Sequence, residues 1–289
     1  MATAGVMNIL SVQSSVAFGH VGNSAAVFPL QRLGFEVWPV NTVALSNHPG
    51  YGAWRGQVCT GETVADLLAG IAERGVLPGC AAVLSGYLGT VETGIAILDT
   101  VAQVKAANPE AIYCCDPVIG DRDGGTYVRS GIAAFFRDRA LARADIATPN
   151  HFELETLSGR RVESLADALG AVDMLKQRGP RIVLVTSLER SDAAAGTSEM
   201  LVAENDAAWL VATPALPIAV NGAGDAVAAL FLGHYLLTRS TEQALAAAAA
   251  AIFAVIEATQ SAGTRELQLI AAQDAFAAPR RRFVPRRVR

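Results

Sequence analysis

The sequence predicts an α/β protein of three layers, α/β/α, built on a mostly parallel central sheet. Short β-rich runs alternate with longer helical ones along most of the chain. Several short runs are unbroken apolar segments, the mark of strands covered on both faces. A repeated βαβα order closes into a parallel sheet through right-handed crossovers, which put helices on its faces.

The elements follow in order. Strands are expected at Val6–Gln13, Phe35–Asn41, Ala81–Ser85, Ala111–Cys115, Ala144–Thr148 and Ile182–Thr186. A later hairpin is expected from Met200–Ala203 and Trp209–Thr213. Helices are expected at His20–Leu33, Glu62–Arg74, Thr90–Ala107, Ser130–Arg137 and Leu165–Arg178, then at Ala226–Leu237 and Glu242–Glu257. The Ala246–Ala251 run lets one helix approach a neighbour closely.

Composition narrows the class. The chain has 289 residues, 52% hydrophobic and only 17% charged, against a usual charged share of about 25%. Mean hydropathy is +0.33. This excludes intrinsic disorder and supplies a large core. No Pro- or Ser-rich linker and no repeat divides the chain, so one domain is expected over residues 1–279. Net charge is −4, so the body is no polyanion binder and nucleic acid is not an expected partner. The segment 280–289 differs, with six arginines from Arg280 to Arg289. It reads as a basic, flexible tail; the other reading of such a run is a contact to nucleic acid or anionic lipid.

Four cysteines, Cys59, Cys80, Cys114 and Cys115, show no Cys-x-x-Cys spacing, which fits reduced thiols better than disulfides or zinc. Residues 1–31 carry no Lys, Arg, Asp or Glu, but polar residues such as Asn8, Gln13 and Asn23 interrupt them and a basic n-region is missing. The most apolar helical stretch, Gln243 to Ile256, is too short to span a bilayer. A cytoplasmic protein without a membrane partner is expected.

Three segments carry chemistry. In Asn221-Gly222-Ala223-Gly224-Asp225 an apolar run enters a two-glycine turn and opens an apolar helix. Glycines let N–H groups crowd an anion, and the first helical turn adds unpaired donors and partial positive charge. Asp225 beside them is either a base for an attacking hydroxyl or an ordinary N-cap. No Gly-x-x-x-x-Gly-Lys-Ser/Thr loop occurs, which argues against a P-loop kinase. Asp116-Pro117 follows a strand, where a carboxylate can hold Mg²⁺ or a monovalent cation, or cap the loop. In Thr148-Pro-Asn150-His-Phe-Glu153, Asn150 and Glu153 share one side of a first helical turn, as a capping box or as a grip on metal-bound water.

Together these segments resemble the pyridoxal (vitamin B6) kinases of the ribokinase-like superfamily over nearly the whole chain. The Gly222–Asp225 turn marks the superfamily. The stretch Ser14 to Asn23, the run Ser46-Asn47-His48 and the turn Ser85-Gly86-Tyr87 point to the pyridoxal branch. The resemblance implies ATP-dependent phosphorylation of the 5′-hydroxymethyl group of pyridoxal, with pyridoxamine and pyridoxine as further substrates. It implies Asp225 as base and the backbone of Gly222, Ala223 and Gly224 as anion hole. Ser14 would bond the pyridine ring, with Val21, His48 and Tyr87 around it. Asp116 and Thr148 would flank K⁺, and Glu153 would hold Mg²⁺ through water. Asp121, Tyr127, Asn150 and Thr186 would lie along ATP. A homodimer is implied as well.

Two positions depart from the family pattern. Pro49 stands where these kinases commonly place a substrate-contacting Thr, and Thr186 where some bacterial relatives have Lys. The loop Ser46–Trp54, with Gly50 and Gly52, reads as a lid that excludes water. Two rival functions stay open: a hydroxymethylpyrimidine kinase with the same turn, and a non-catalytic sensor that binds pyridoxal phosphate.

Overall fold

The structure is a computed structural model and describes residues 6–289. The strands are β1 (Asn8–Val16), β2 (Glu36–Leu45), β3 (Gly56–Val58), β4 (Cys80–Ser85), β5 (Ile112–Cys115), β6 (Gly120–Asp121), β7 (Gly125–Thr126), β8 (Ile146–Ala147), β9 (Ile182–Leu188), β10 (Thr197–Glu204), β11 (Ala207–Pro214) and β12 (Arg286–Arg287). The helices are α1 (Asn23–Arg32), α2 (Gly61–Ala72), α3 (Val91–Ala107), α4 (Ile132–Phe135), α5 (His151–Ser158), α6 (Leu165–Lys176), α7 (Ala223–Thr238) and α8 (Thr241–Ser261).

Ten strands form one sheet in the order β12-β11-β10-β9-β8-β5-β4-β1-β2-β3. The six from β9 to β2 pair in parallel. Antiparallel strands flank them on both sides, β10, β11 and β12 on one and β3 on the other. β6 and β7 form a separate small hairpin.

Strand alternation builds two cores. Leu10, Val12, Val83, Tyr113 and Cys115 face one way and pack with α2, α3, α5 and α6. Their neighbours Ile9, Ala82, Leu84, Ile112 and Cys114 face the other and pack with α1, α7 and α8. Both faces of the parallel strands are therefore apolar, as the unbroken runs required. The expected three-layer α/β/α architecture is the one observed.

Several expectations need correction. The helix expected from His20 starts only at Asn23, because Gly19 and Gly22 take positive φ angles of 92° and 54° and make a loop of the preceding residues. The helix expected at Ser130–Arg137 is one short turn, α4, followed by a π turn at Phe136–Ala140. α8 outruns the 14-residue apolar stretch: with 21 residues it is long and apolar enough to cross a membrane. In this fold its apolar side is used internally, where Ala248, Ala249 and Ala251 are fully buried in the core shared with α1 and α7.

The C-terminal segment is not the frayed tail its arginines suggested. Arg286 and Arg287 pair as β12 with Leu210 and Trp209 of β11. The Val288 N–H donates to Ala208 O at 2.8 Å, and Ala208 N–H donates back to Arg289 O at 3.1 Å. The Arg289 guanidinium forks onto both Asp173 oxygens of α6, at 2.8 and 3.0 Å. Backbone pairing and a bidentate ion pair hold what charge alone would have left in solvent.

Candidate active site

The expected residues converge on one edge of the sheet. Ser14 lies near the carboxyl end of β1, Tyr87 just past β4, Asp116 just past β5, Thr148 just past β8 and Thr186 near the end of β9. The chain leaves β1 toward β2 on one side and returns with β4 on the other, so β1 and β4 mark the switch point where such sheets bind ligands. Register slips there: Gln13 opposes Asn41, but Ser15 opposes Ala44, which leaves Ser14 against both Thr42 and Val43. Such an irregularity re-aims a side chain beside a site.

The glycine turn before α7 lies nearby. Gly222 precedes α7 in the left-handed region, at φ 79°, and no side chain caps the helix. The first intrahelical bond there is Ala226 N–H to Gly222 O at 3.0 Å, so the N–H groups of Ala223, Gly224 and Asp225 have no partner within the helix. Gly222 is also needed for space, since a Cβ would lie 1.8 Å from His20 O. Gly224 is exposed, with nothing near its would-be Cβ. The result is an open cradle of donors at a helix start.

Asp225 belongs to the same turn. Burial raises its carboxyl pKa to about 6, opposed by a hydrogen bond from the Gly22 backbone N–H. Gly22 in turn lies against Ser14, whose O and Oγ would be 2.2 and 2.3 Å from a Cβ there. Ser14, the Val21–Gly22 loop and Asp225 are thus contiguous.

A second carboxylate group lies beside it. Asp116 is buried and accepts from Thr148 Oγ1 at 2.9 Å. Glu153 is buried and takes part in a complete capping box with Asn150. Its Oε2 accepts from Asn150 N–H at 2.8 Å and its Oε1 from Ile119 N–H at 2.9 Å. Burial, then Glu153 and Asp225, hold the Asp116 pKa well above the usual carboxylate range. Burial raises Glu153 to about 8 despite these N–H donors. Desolvated carboxylates that repel one another are a donor set for hard cations. No group of three His, Cys, Asp or Glu side chains among the described residues could cage a metal alone.

The remaining expected residues lie in loops and turns beyond the strand ends. His48 caps the short turn Pro49–Tyr51, its Nδ1 accepting from Gly50 N–H at 3.1 Å, and burial lowers its pKa. Val21 is buried; Tyr87 is half-buried, with its carbonyl accepting from Thr42 Oγ1 at 2.6 Å. Asp121 closes the β6–β7 turn by accepting from Gly124 N–H, and Tyr127 follows that hairpin with about half its surface exposed (52%). Asn150 bridges Thr186 and donates to Gly120 O at 2.8 Å, which ties the hairpin to the ends of β8 and β9.

Two features escaped the sequence. A buried polar chain backs the cleft: Gln13 donates to Ser11, Ser11 to Asn23, and Asn23 to Val40 O and Asn41. A cavity of about 270 Å³ also adjoins the anion cradle, lined by Thr186, Leu216, Ile218, Gly224, Phe253 and Ile256. Its apolar walls suit a flat base next to phosphates; the only signal was an apolar run before the glycine turn. A larger cavity of about 950 Å³, with Arg122, His151 and Arg160 in its wall, contains none of the expected site residues.

Comparison with known proteins decides the family. A protein-family model described as phosphomethylpyrimidine kinase matches residues 76–269. The pyridoxal kinase of Rubrobacter xylanophilus is 58% identical over all of both chains. The chain belongs to the pyridoxal kinases. That of Granulibacter bethesdensis is 56% identical over 94% of this chain and 97% of its own. The pyridoxal kinase of Leishmania donovani, solved with ADP and pyridoxamine, superposes with a TM-score of 0.92 at 30% identity, covering 98% of this chain and 99% of its own. The ribokinase-like fold and the kinase activity expected from the sequence are borne out. The full-length relatives are named pyridoxal kinases, whereas the family model is described by a phosphomethylpyrimidine.

Proposed function

We propose that Asp225 removes the proton from the 5′-hydroxymethyl group of pyridoxal while the N–H groups from Gly222 to Gly224 receive the γ-phosphoryl group of ATP. The observation that carries this is the shared turn: a base with a pKa of about 6 stands on the same helix start as an uncapped amide cradle. At neutral pH the carboxylate is mostly ionised and accepts a proton; the cradle offers donors without reorganisation. Phosphoryl transfer needs little more than this positioning and charge stabilisation.

In the same reading Ser14 bonds the pyridine ring, with Val21, His48 and Tyr87 around it. Asp121, Tyr127, Asn150 and Thr186 follow the nucleotide, and the apolar cavity takes the base. Glu153 would hold Mg²⁺ through water, and Asp116 with Thr148 would flank K⁺. Bound there, these cations would neutralise charge on the nucleotide phosphates. The donor chemistry of the buried carboxylates supports this assignment. A homodimer working in a reducing, cytoplasmic setting completes the reading; all four cysteines are free.

The test is direct. The purified protein, given MgATP and each B6 vitamer, should release ADP and the vitamer 5′-phosphate. Its kcat/KM should favour pyridoxal over hydroxymethylpyrimidine; equal or reversed preference would overturn the substrate assignment.

A further inference from the structure

Glu266 lies outside every role given so far, in the segment after α8. Its position is fixed from behind: neighbouring Leu267 and Leu269 are buried, Gln268 Nε2 donates to Glu266 O at 3.1 Å, and Glu266 N–H donates to Thr264 Oγ1 at 3.2 Å. Its carboxylate reaches two separate loops. Oε1 accepts from the Tyr51 hydroxyl, 215 positions away in the loop expected to be a lid. Oε2 accepts from His20 N–H at 3.1 Å, 246 positions away. Tyr51 is further held by the Arg265 guanidinium, 5.6 Å from its ring centre, and by the edge of Phe18 at 6.2 Å.

Both loops border the chemistry. The Tyr51 loop carries His48. The His20 loop presses on the anion cradle, because His20 O occupies the place of a Cβ on Gly222, and it supplies the Gly22 N–H to Asp225. Gly19 leaves the carboxylate its room: a Cβ there would lie 2.0 Å from Glu266 Oε2. One anchored anion therefore joins the lid to the wall of the catalytic turn.

We propose that Glu266 is a positioning residue that latches the 46–54 lid over the vitamer pocket through Tyr51 and, through His20, couples that closure to the Gly222–Asp225 turn. The inference rests on the kinase reading for its consequence in turnover, but not for its geometry. Without the latch the lid opens more often, vitamer escapes faster, and water reaches the phosphoryl group.

Two variants separate the arms. Tyr51→Phe removes only the lid arm and keeps the ring contacts; Glu266→Ala removes both arms. Hydrogen exchange in the free protein is the first readout. Amides of residues 46–55 should exchange about tenfold faster in both variants, the fold-change of one lost hydrogen bond to a charged group. Amides of residues 19–22 should quicken only in Glu266→Ala. In turnover, Tyr51→Phe should raise KM for pyridoxal about tenfold, more than it lowers kcat, and increase vitamer-independent ATP hydrolysis. Parental exchange at residues 46–55 in Tyr51→Phe would overturn the proposal, as would faster exchange spread uniformly over the sheet. Failure of the parent to phosphorylate any vitamer would instead sink the kinase reading and leave the exchange result to judge the latch.

Discussion

In the proposed role, Asp225 has two demands on it that pull against each other. Burial favours its protonated form, and proton abstraction needs the ionised one. The Gly22 N–H offsets part of the burial cost and leaves the group near pH 6. kcat/KM should therefore climb with pH through about 6 and level off above it. Asp225→Asn should lower kcat by about 10²–10⁴. The same substitution should stabilise the fold. A carboxyl whose pKa is raised on folding contributes stability that is complete below its unfolded value of 3.8 and lost as pH rises through about 6. At pH 8 the ionised group is a net cost, of about 1–2 kcal/mol after screening by solvent at its accessible edge. Thermal melts of Asp225→Asn should thus lie above the parent at pH 8 and converge with it below about pH 4. A lower melt at pH 8 together with near-parental kcat would refute both roles.

At the scale of elements, the glycine turn and the last strand do unlike work. Gly222 and Gly224 are two positions apart yet answer to different constraints. Gly222→Ala puts a methyl onto His20 O in a left-handed backbone, so both melting temperature and kcat should fall; the strain alone is about 1–3 kcal/mol. Gly224→Ala meets open space and a negative φ, so the melt should hold while the methyl crowds the phosphate and ATP binding weakens. Melts and ATP titrations on the pair distinguish a folding glycine from a ligand-facing one. β12 covers the otherwise unpaired edge of β11 and itself ends the sheet in exposed arginines, a device against edge-to-edge pairing. Arg289→Ala removes a half-exposed bidentate pair and should cost about 1 kcal/mol, read as a melting temperature about 2 °C lower. Kinase activity should be untouched, since β12 lies at the opposite end of the strand order from β1 and β2.

Over the whole molecule, the parallel sheet gathers residues from five strand ends along one edge, and the carboxyl groups of Asp116 and Glu153 are buried there before any nucleotide enters. Activity should vanish in EDTA and return with Mg²⁺, and K⁺ should raise it further. Asp116→Asn should blunt the K⁺ response more than the Mg²⁺ requirement, as followed by titrating each ion; full activity in EDTA would contradict the roles of Asp116 and Glu153.

What the sequence determined by itself was whatever its chemistry writes locally. Unbroken apolar runs gave the parallel strands, because strands buried on both faces have no polar side to alternate with. The strand-end positions of Asp116 and Thr148 were legible because a strand end is where an apolar run stops, and strand ends are where such sheets bind; Thr186 came only from the family resemblance. The start of a helix at the Gly222–Asp225 turn was legible because glycines before an apolar run mark a helix start, while the choice between an anion cradle and an ordinary cap was left open. What only the tertiary structure decided were pairings between distant residues. The docking of β12 overrode a charge pattern that suggested solvent. The register slip at Ser14 and the polar chain behind it arise from how β1 meets β2 and α1. Glu266 meets Tyr51 and His20 across more than two hundred positions. Such contacts depend on which faces the sheet brings together, and no local run of residues encodes that distance.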